Sequence, residues 1–353
     1  MDFMKAFDKV PHRRLIKKME GYGIGKRILN WVKDFVKNRK QKVSVDGAES
    51  ACQDVTSGIS QGSVLEPILF VIYINDMTEC VDAVAYLFAD DTKLCKEIKR
   101  EVDSEKLQKD LDSLQKWSDT WLLKFHANKC KVMTVSRKKK REEISNEYHL
   151  YDDLGQEIEL QTSEGEKDIG VLVDEQLSFS KHMQQQINKA NTIMGLIRRT
   201  YTYLDEQSFK YLFQVLVRPH IEYAAAVWSP YKSSDIENIE NVQSRATKLI
   251  PSLKNLEYAD RLRKLKMPTL KYRRYRGDMI ETFKILSGIY DKEVTDGMLE
   301  LDENTRTRGH EKKLKKMHCK LNIRKYSSNG IIDTWNSLPN EVIAAKTVKN
   351  NSR

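Results

Sequence analysis

The sequence lacks any apolar run long enough to cross a bilayer. No secretory leader is expected either, since Met1 is followed at once by Asp2 and a lysine-containing amphipathic pattern. Cysteine is scarce. The five cysteines, Cys52, Cys80, Cys95, Cys130 and Cys319, are scattered, odd in number and without paired spacing. That argues against a disulfide framework and a zinc site, and for a reducing, intracellular setting. No internal repeat and no long low-complexity linker interrupts the 353 residues, a length that suits about two domains.

What the chain does carry is positive charge. A formal net charge of +10 favours polyanionic partners such as nucleic acid. The excess collects in "KNRKQK", "SRKKKREE", "LKYRRYRGD" and "GHEKKLKKMHCKLNIRK". A lysine-rich surface is the plainer account of such runs. The interleaving of Arg273, Arg274 and Arg276 with Tyr272 and Tyr275 favours a nucleic-acid face.

Apolar residues recur at helical spacing over residues 11–37, and Gly21, Gly23 and Gly25 divide them into two helices. "QKVSVDGAES" alternates with period two, and its Asp46-Gly47 pair suggests a hairpin turn. An apolar helix is expected from about Val64. After "AYLFADDTKLC", which reads as two strands about a turn, an amphipathic helix sets Leu107, Leu111, Leu114, Trp117 and Trp121 on one face. "KCKVMTVS" and "KDIGVLVD" each read as one strand. From about Ser178 the texture becomes helical, with Ser234 as a candidate N-cap.

Asp90 and Asp91 stand together with no spacer. Adjacent like charges repel and must be solvated or paired, so the doublet alone reads as a surface turn. Asp152 and Asp153 form a second doublet, again read as a solvated turn. Acidic positions on two strands also suit a pair of divalent ions, which stabilise the attacking and leaving oxygens of an in-line phosphoryl displacement. Mg²⁺ needs only carboxylate, water and phosphate for this, with no His or Cys.

The ordered set is more specific than the doublet. "MDFMKAFDKVPHRRL", "TSGISQGSVLEPILF", "YLFADDTKL", "WLLKFHANKCKVMTV" and "KDIGVLVDEQLSFSKHM" follow one another. This order and spacing resemble the reverse transcriptases of non-LTR, LINE-like retrotransposons of the jockey and chicken-repeat kind. The resemblance covers nearly the whole chain and continues through "LVRPHIEYAAAVWSPY", "VQSRATKLI", "RRYRGDMIETFKIL" and "WNSLP". It implies an α+β fold. A polymerase palm, an antiparallel sheet with helices on one face, would occupy residues 1–177. A helical thumb-like region would follow over 178–300, and a basic C-terminal segment over 301–353. The implied activity is RNA-directed DNA polymerisation. Two Mg²⁺ ions, or Mn²⁺ in their place, would serve extension of a DNA primer on an RNA template with dNTPs, in the nucleus. The alternative is a catalytically inactive nucleic-acid-binding remnant. The family's fingers and endonuclease are expected upstream of this sequence.

Matched to the family's motifs, Asp2, Asp90 and Asp91 are the metal-binding carboxylates, with Asp90 the firmer ligand of the doublet. Asp8 resembles a structural aspartate. Phe7 falls where a bulky side chain lies under the nucleotide sugar and clashes with a 2′-hydroxyl; a plain core role is the equal alternative. Gln61 and Gly62 match the pair beside the incoming nucleotide and template base. Lys129 matches a lysine that assists the departing pyrophosphate, or simply faces solvent. Gly170 falls where the family turns a hairpin that grips the primer end. The family reads S-G-x-P-Q-G-S-x-L-G-P where this chain has Ser60 for the proline and Glu66 for the second glycine. A positive φ at Glu66 would add strain of about 1 kcal/mol. Asp2, with one residue before it, is expected to be loosely anchored.

Overall fold

The computed structural model describes residues 1–60, 62–136, 147–302, 310–316 and 328–344. They divide into two compact units, Met1–Glu164 and Gly165–Arg353. The first mixes helices with short, mostly antiparallel strands and the second is largely helical, so the chain is α+β. Among the described residues no helix is long and apolar enough to cross a membrane.

In the first unit, α1 (His12–Gly21) buries Leu15, Ile16 and Met19, and α2 (Lys26–Val36) buries Leu29, Val32 and Val36. Between them Gly23 takes φ +74°, a left-handed conformation open to glycine. Strands β1 (Lys40–Gln41), β2 (Ser44–Val45), β3 (Ala48–Glu49) and β4 (Gln53–Asp54) follow, with β1 paired to β4 and β2 to β3. Asp46 and Gly47, both at positive φ, make the β2–β3 turn that their sequence suggests.

Helix α3 (Leu65–Ile74) turns Leu69, Phe70, Tyr73 and Ile74 inward and leaves Ile68 and Val71 exposed. Next come the hairpin β5 (Val84–Phe88) and β6 (Asp91–Cys95), then α4 (Glu101–Trp121), which buries Leu111, Leu114 and Trp117. The unit closes with β7 (Lys131–Val132), β8 (His149–Tyr151), β9 (Glu157–Glu159) and β10 (Gln161–Thr162). "KCKVMTVS" yields only the two residues of β7, because its partner β10 offers only two, in parallel.

Lys18 ties three helices of this unit together. It is buried, its ammonium lies 4.9, 4.6 and 3.9 Å from the ring centroids of Tyr73, Trp117 and Trp121, and it pairs with Asp76. Burial pulls its pKa down, and the Asp76 carboxylate opposes the shift. The same carboxylate accepts the Trp117 indole N–H at 3.0 Å.

The second unit opens on the hairpin β11 (Gly165–Asp168) and β12 (Val171–Asp174). "KDIGVLVD" is therefore two strands and not one, because Ile169 and Gly170 at φ +42° and +85° reverse the chain. Then follow α5 (Ser180–Thr200), α6 (Glu206–Leu212), a π-helical turn (Phe213–Val217), α7 (Arg218–Glu222) and α8 (Ala225–Trp228). Helices α9 (Ser233–Thr247), α10 (Tyr258–Leu265) and α11 (Leu270–Leu286) complete the core around Trp228, Val242 and Phe213. The π turn accommodates Pro219, which has no N–H and whose ring would meet the carbonyl of Val215 in a regular helix. α9 is already helical at Ser233, so Lys232 is its N-cap and Ser234 lies inside the first turn. The change of texture near Ser178 falls just before α5, within this unit. Leu314, Ile332, Trp335 and Ile343 pack with Phe283 of α11 in a smaller cluster.

Candidate active site

β5 and β6 pair in register from Val84↔Cys95 to Phe88↔Asp91, which leaves Ala89 and Asp90 as a two-residue turn. Ala89 takes φ +50°, a left-handed conformation that costs a residue with a Cβ about 1 kcal/mol or more. Alternation buries Thr92 and turns Asp91 and Lys93 outward, together with Tyr86 and Phe88 of β5. Those two rings are 56% and 57% exposed, and the Lys93 ammonium lies 5.5 Å from the Tyr86 centroid.

Asp2 is anchored on both sides, contrary to the expectation from its position. Met1 and Thr92 exchange both backbone hydrogen bonds, at 2.6 and 3.1 Å. On the opposite edge Met4 N–H donates to the Lys124 carbonyl at 2.9 Å and His126 N–H to the Asp2 carbonyl at 2.8 Å, around the Phe3–Phe125 bridge. The segment is thus an inner lane between β6 and residues 124–126. Two residues that exchange both bonds are an antiparallel pair, so their neighbours Asp2 and Asp91 face each other on one side of the ribbon. Phe3 points to the other side and stacks on Phe125 with centroids 4.6 Å apart.

The Asp2 carboxylate pairs with the Lys129 ammonium at 3.4 Å, and the lysine side chain stays 61% exposed. Both side chains are partly exposed, and such a pair contributes less than about 1 kcal/mol. Cys130 lies beneath, buried, with its thiol 4.0 Å from the Asp2 carbonyl; burial pushes its pKa up. Among the described residues no three His, Cys, Asp or Glu side chains gather closely enough to hold a metal ion. The donor type nevertheless suits a hard cation, since Asp2, Asp90 and Asp91 are all oxygen ligands.

The second motif is strapped to the first. Gly58 N–H donates to Val10, Ile59 N–H to the Phe7 carbonyl, and the Ser57 hydroxyl to the Asp8 carbonyl. His12 Nε2 lies 2.7 Å from the Gly58 carbonyl oxygen. Gly58 sits at φ +91°, and a Cβ there would fall 2.7 Å from the Asp8 carbonyl oxygen, so only glycine fits. Phe7 begins a 3₁₀ turn and packs on Phe70 with centroids 4.5 Å apart, yet stays partly exposed. Gln61 lies outside the described residues.

Gly62 takes φ +80° and donates its N–H to Glu66 Oε2 at 2.8 Å, while Glu66 N–H donates to the Ser63 hydroxyl at 3.2 Å. The Glu66 carboxylate thus holds the Gly62 N–H that precedes α3, and the Ser63 hydroxyl holds the Glu66 N–H. Glu66 is in the first turn of α3 and not at positive φ, so the strain expected there is absent. Ser60 accepts a hydrogen bond from Arg39, whose guanidinium lies 4.6 Å from the Phe35 ring centroid.

In the second unit, Gly170 fills the β11–β12 turn. The Tyr223 hydroxyl donates to the Ile169 carbonyl at 3.0 Å, and a Cβ on Gly170 would lie 3.2 Å from the Tyr223 ring. On α11, Arg273 forms a two-pronged pair with Glu222, which raises its pKa. Arg274 is buried with both terminal nitrogens unpartnered, and burial lowers its pKa. Arg276 is partly buried and engaged. These arginines face inward or are already paired; Lys271, Tyr272 and Tyr275 hold the exposed positions instead. Asp152 Oδ1 accepts the Leu154 and Gln156 N–H groups, a turn role. Trp228 and Trp335 are buried anchors.

Sequence reasoning missed Gly58, His12, Lys18 and Asp110. For Gly58 the only signal was a small residue in "TSGIS". For Asp110 it was an acidic residue beside Leu111 on the inward stripe of α4.

A family model described as reverse transcriptase (RNA-dependent DNA polymerase) matches residues 1–212. The chain is 26% identical over 284 residues to the RNA-directed DNA polymerase from mobile element jockey of Drosophila melanogaster, an overlap covering 76% of this chain and 30% of that protein. Against the jockey polymerase of Drosophila funebris the identity is 26% over 266 residues, 71% of this chain and 28% of the relative. The probable RNA-directed DNA polymerase from transposon X-element of Drosophila melanogaster is 24% identical over 263 residues, again 71% and 28%. The chain thus spans less than a third of the length of these curated relatives.

Proposed function

The chain belongs to the reverse transcriptase (RNA-dependent DNA polymerase) family, and on that premise we propose that it carries the nucleotidyl-transfer site of an RNA-directed DNA polymerase. It would extend a DNA primer on an RNA template with dNTPs. The observation that carries the reading is the antiparallel lane that sets Asp2 opposite Asp91, with Asp90 in the adjoining turn.

In this reading residues 1–177 act as the palm, 178–300 as the thumb-like region and 301–353 as a basic tail. Asp2, Asp90 and Asp91 would hold Mg²⁺, with Mn²⁺ as a substitute. Bound there, the ions would stabilise the attacking and leaving oxygens of the displacement. The protein's own part is positioning. The Met1–Met4 lane holds Asp2 against β6, and the strained Ala89 turn holds Asp90 at the tip. Phe7, which packs on Phe70, would exclude a 2′-hydroxyl. Gln61 and Gly62 would border the nucleotide and template base. Lys129, released from Asp2, would neutralise charge on the leaving pyrophosphate. Tyr86 and Phe88 offer exposed rings beside Asp91 for sugar or base contact. Gly170 keeps the β11–β12 turn tight for contact with the primer end. Lys271 with Tyr272 and Tyr275, with Arg276 behind them, is the surface of α11 best suited to a phosphate backbone.

The test is incorporation of dTTP on an oligo(dT)-primed poly(rA) template by the wild type and Asp90→Ala. Incorporation that depends on Asp90 is expected. Salt-sensitive binding of the duplex without incorporation would overturn the reading in favour of a binding remnant.

A further inference from the structure

Asp110 stands on α4, is 6% exposed, and takes no part in the chemistry described above. Its carboxylate touches both legs of the hairpin that carries the aspartate doublet. Oδ1 accepts the Asp82 N–H at 3.0 Å, and Oδ2 accepts the Ala83 N–H at 3.2 Å. These two residues immediately precede β5. Oδ2 also accepts a hydrogen bond from the Lys96 ammonium at 2.8 Å, and Lys96 immediately follows β6. The Lys96 side chain is itself mostly buried, at 15% exposure.

We infer that Asp110 is a positioning residue that clamps the base of the β5–β6 hairpin to α4 and so sets the reach of Asp90 and Asp91. A two-stranded hairpin is marginal by itself in water. Among the described residues β5 pairs with β6 alone, and the backbone bonds at Thr92 tie β6 to Met1. The tip carries strain at Ala89, and strain persists only where the surroundings over-determine the backbone. A buried carboxylate holding two backbone N–H groups and an ammonium is such a surrounding. It converts motion of the long, well-packed α4 and motion of the hairpin into one movement. Metal-binding and catalytic groups need placement within about 0.5 Å, and a lever pivoting at its base would lose that at its tip.

The clamp stands on geometry alone, whereas its effect on turnover rests on the polymerase reading; the test separates the two. Asp110→Asn removes the ion pair and one acceptor. Lys96→Met keeps both backbone bonds and remains readable should Asp110→Asn fail to fold. Asp112→Asn, whose carboxylate accepts a hydrogen bond from Gln108 on the same helix, is the control. Amide hydrogen exchange should accelerate at least about tenfold in residues 82–96 of Asp110→Asn, with the rest of the first unit unchanged. Lys96→Met should show a smaller change in the same segment, and Asp112→Asn none. With oligo(dT)-primed poly(rA), kcat should fall about tenfold or more while KM for dTTP stays within about twofold. Unchanged exchange in both clamp variants, or acceleration spread evenly over the first unit, would overturn the clamp. Faster hairpin exchange with unchanged kcat would overturn its positioning role. A wild type that incorporates nothing would sink the polymerase reading, and exchange alone would then decide the clamp.

Discussion

Asp278 lies buried on α11, and burial pushes its carboxyl up to about 6, with Arg274 working against the shift. The folded state therefore keeps this proton to higher pH than the unfolded chain does. The resulting stability is full below about pH 4 and lost as pH rises through about 6, a difference of about 2–3 kcal/mol. Denaturation of wild type and Asp278→Asn at pH 4 and pH 7.5 should show that loss in the wild type only; parallel behaviour would refute it. Gly58→Ala should destabilise the first unit by at least about 1 kcal/mol, because its Cβ meets the Asp8 backbone. A melting temperature within a degree of wild type would count against this. At this scale the three aspartates stand out as candidates because their neighbours form recognisable words in a fixed order. Glu66 misled because its role depends on where α3 begins: inside the first turn it is not at positive φ and its carboxylate accepts the Gly62 N–H. Lys18 was illegible, since spacing alone cannot tell a lysine that snorkels from one enclosed by Trp117 and Trp121.

Among the elements, the long helices were read well. Leu111, Leu114 and Trp117 of α4 are buried as their spacing required, and the Asp46-Gly47 hairpin formed where its turn chemistry put it. Short strands were harder. A strand's extent depends on its partner, and β7 stops where β10 stops. "KDIGVLVD" hid a turn because Ile169 shares it with Gly170, and a β-branched residue at positive φ is not a turn signal. The lane from Met1 to Met4 was likewise invisible: its bonds go to β6 and to residues 124–126, far away in sequence. The β11–β12 turn offers a direct check. Gly170→Ala should cost about 1 kcal/mol or more and speed amide exchange within Gly165–Asp174. Tyr223→Phe, which removes the hydroxyl bond to Ile169, should speed exchange in the same hairpin by a smaller factor. Exchange in both variants equal to wild type would show that the turn needs neither device.

For the whole molecule, two compact units and a net charge of +10 suit a protein that works along a phosphate backbone. Binding to an RNA–DNA duplex should weaken steeply with salt, losing at least about tenfold between 50 and 200 mM; a flat response would remove charge as the basis of binding. The central claim is that Asp2, Asp90 and Asp91 form one polymerising site. The most direct measurement is single-nucleotide incorporation into a DNA primer on an RNA template with Mg²⁺, by the wild type and by Asp2→Ala, Asp90→Ala and Asp91→Ala, beside duplex affinity for each. The account predicts incorporation by the wild type and losses of at least about a hundredfold in Asp2→Ala and Asp90→Ala, with affinity nearly unchanged. Binding without incorporation by the wild type, or incorporation that survives Asp90→Ala, would contradict it.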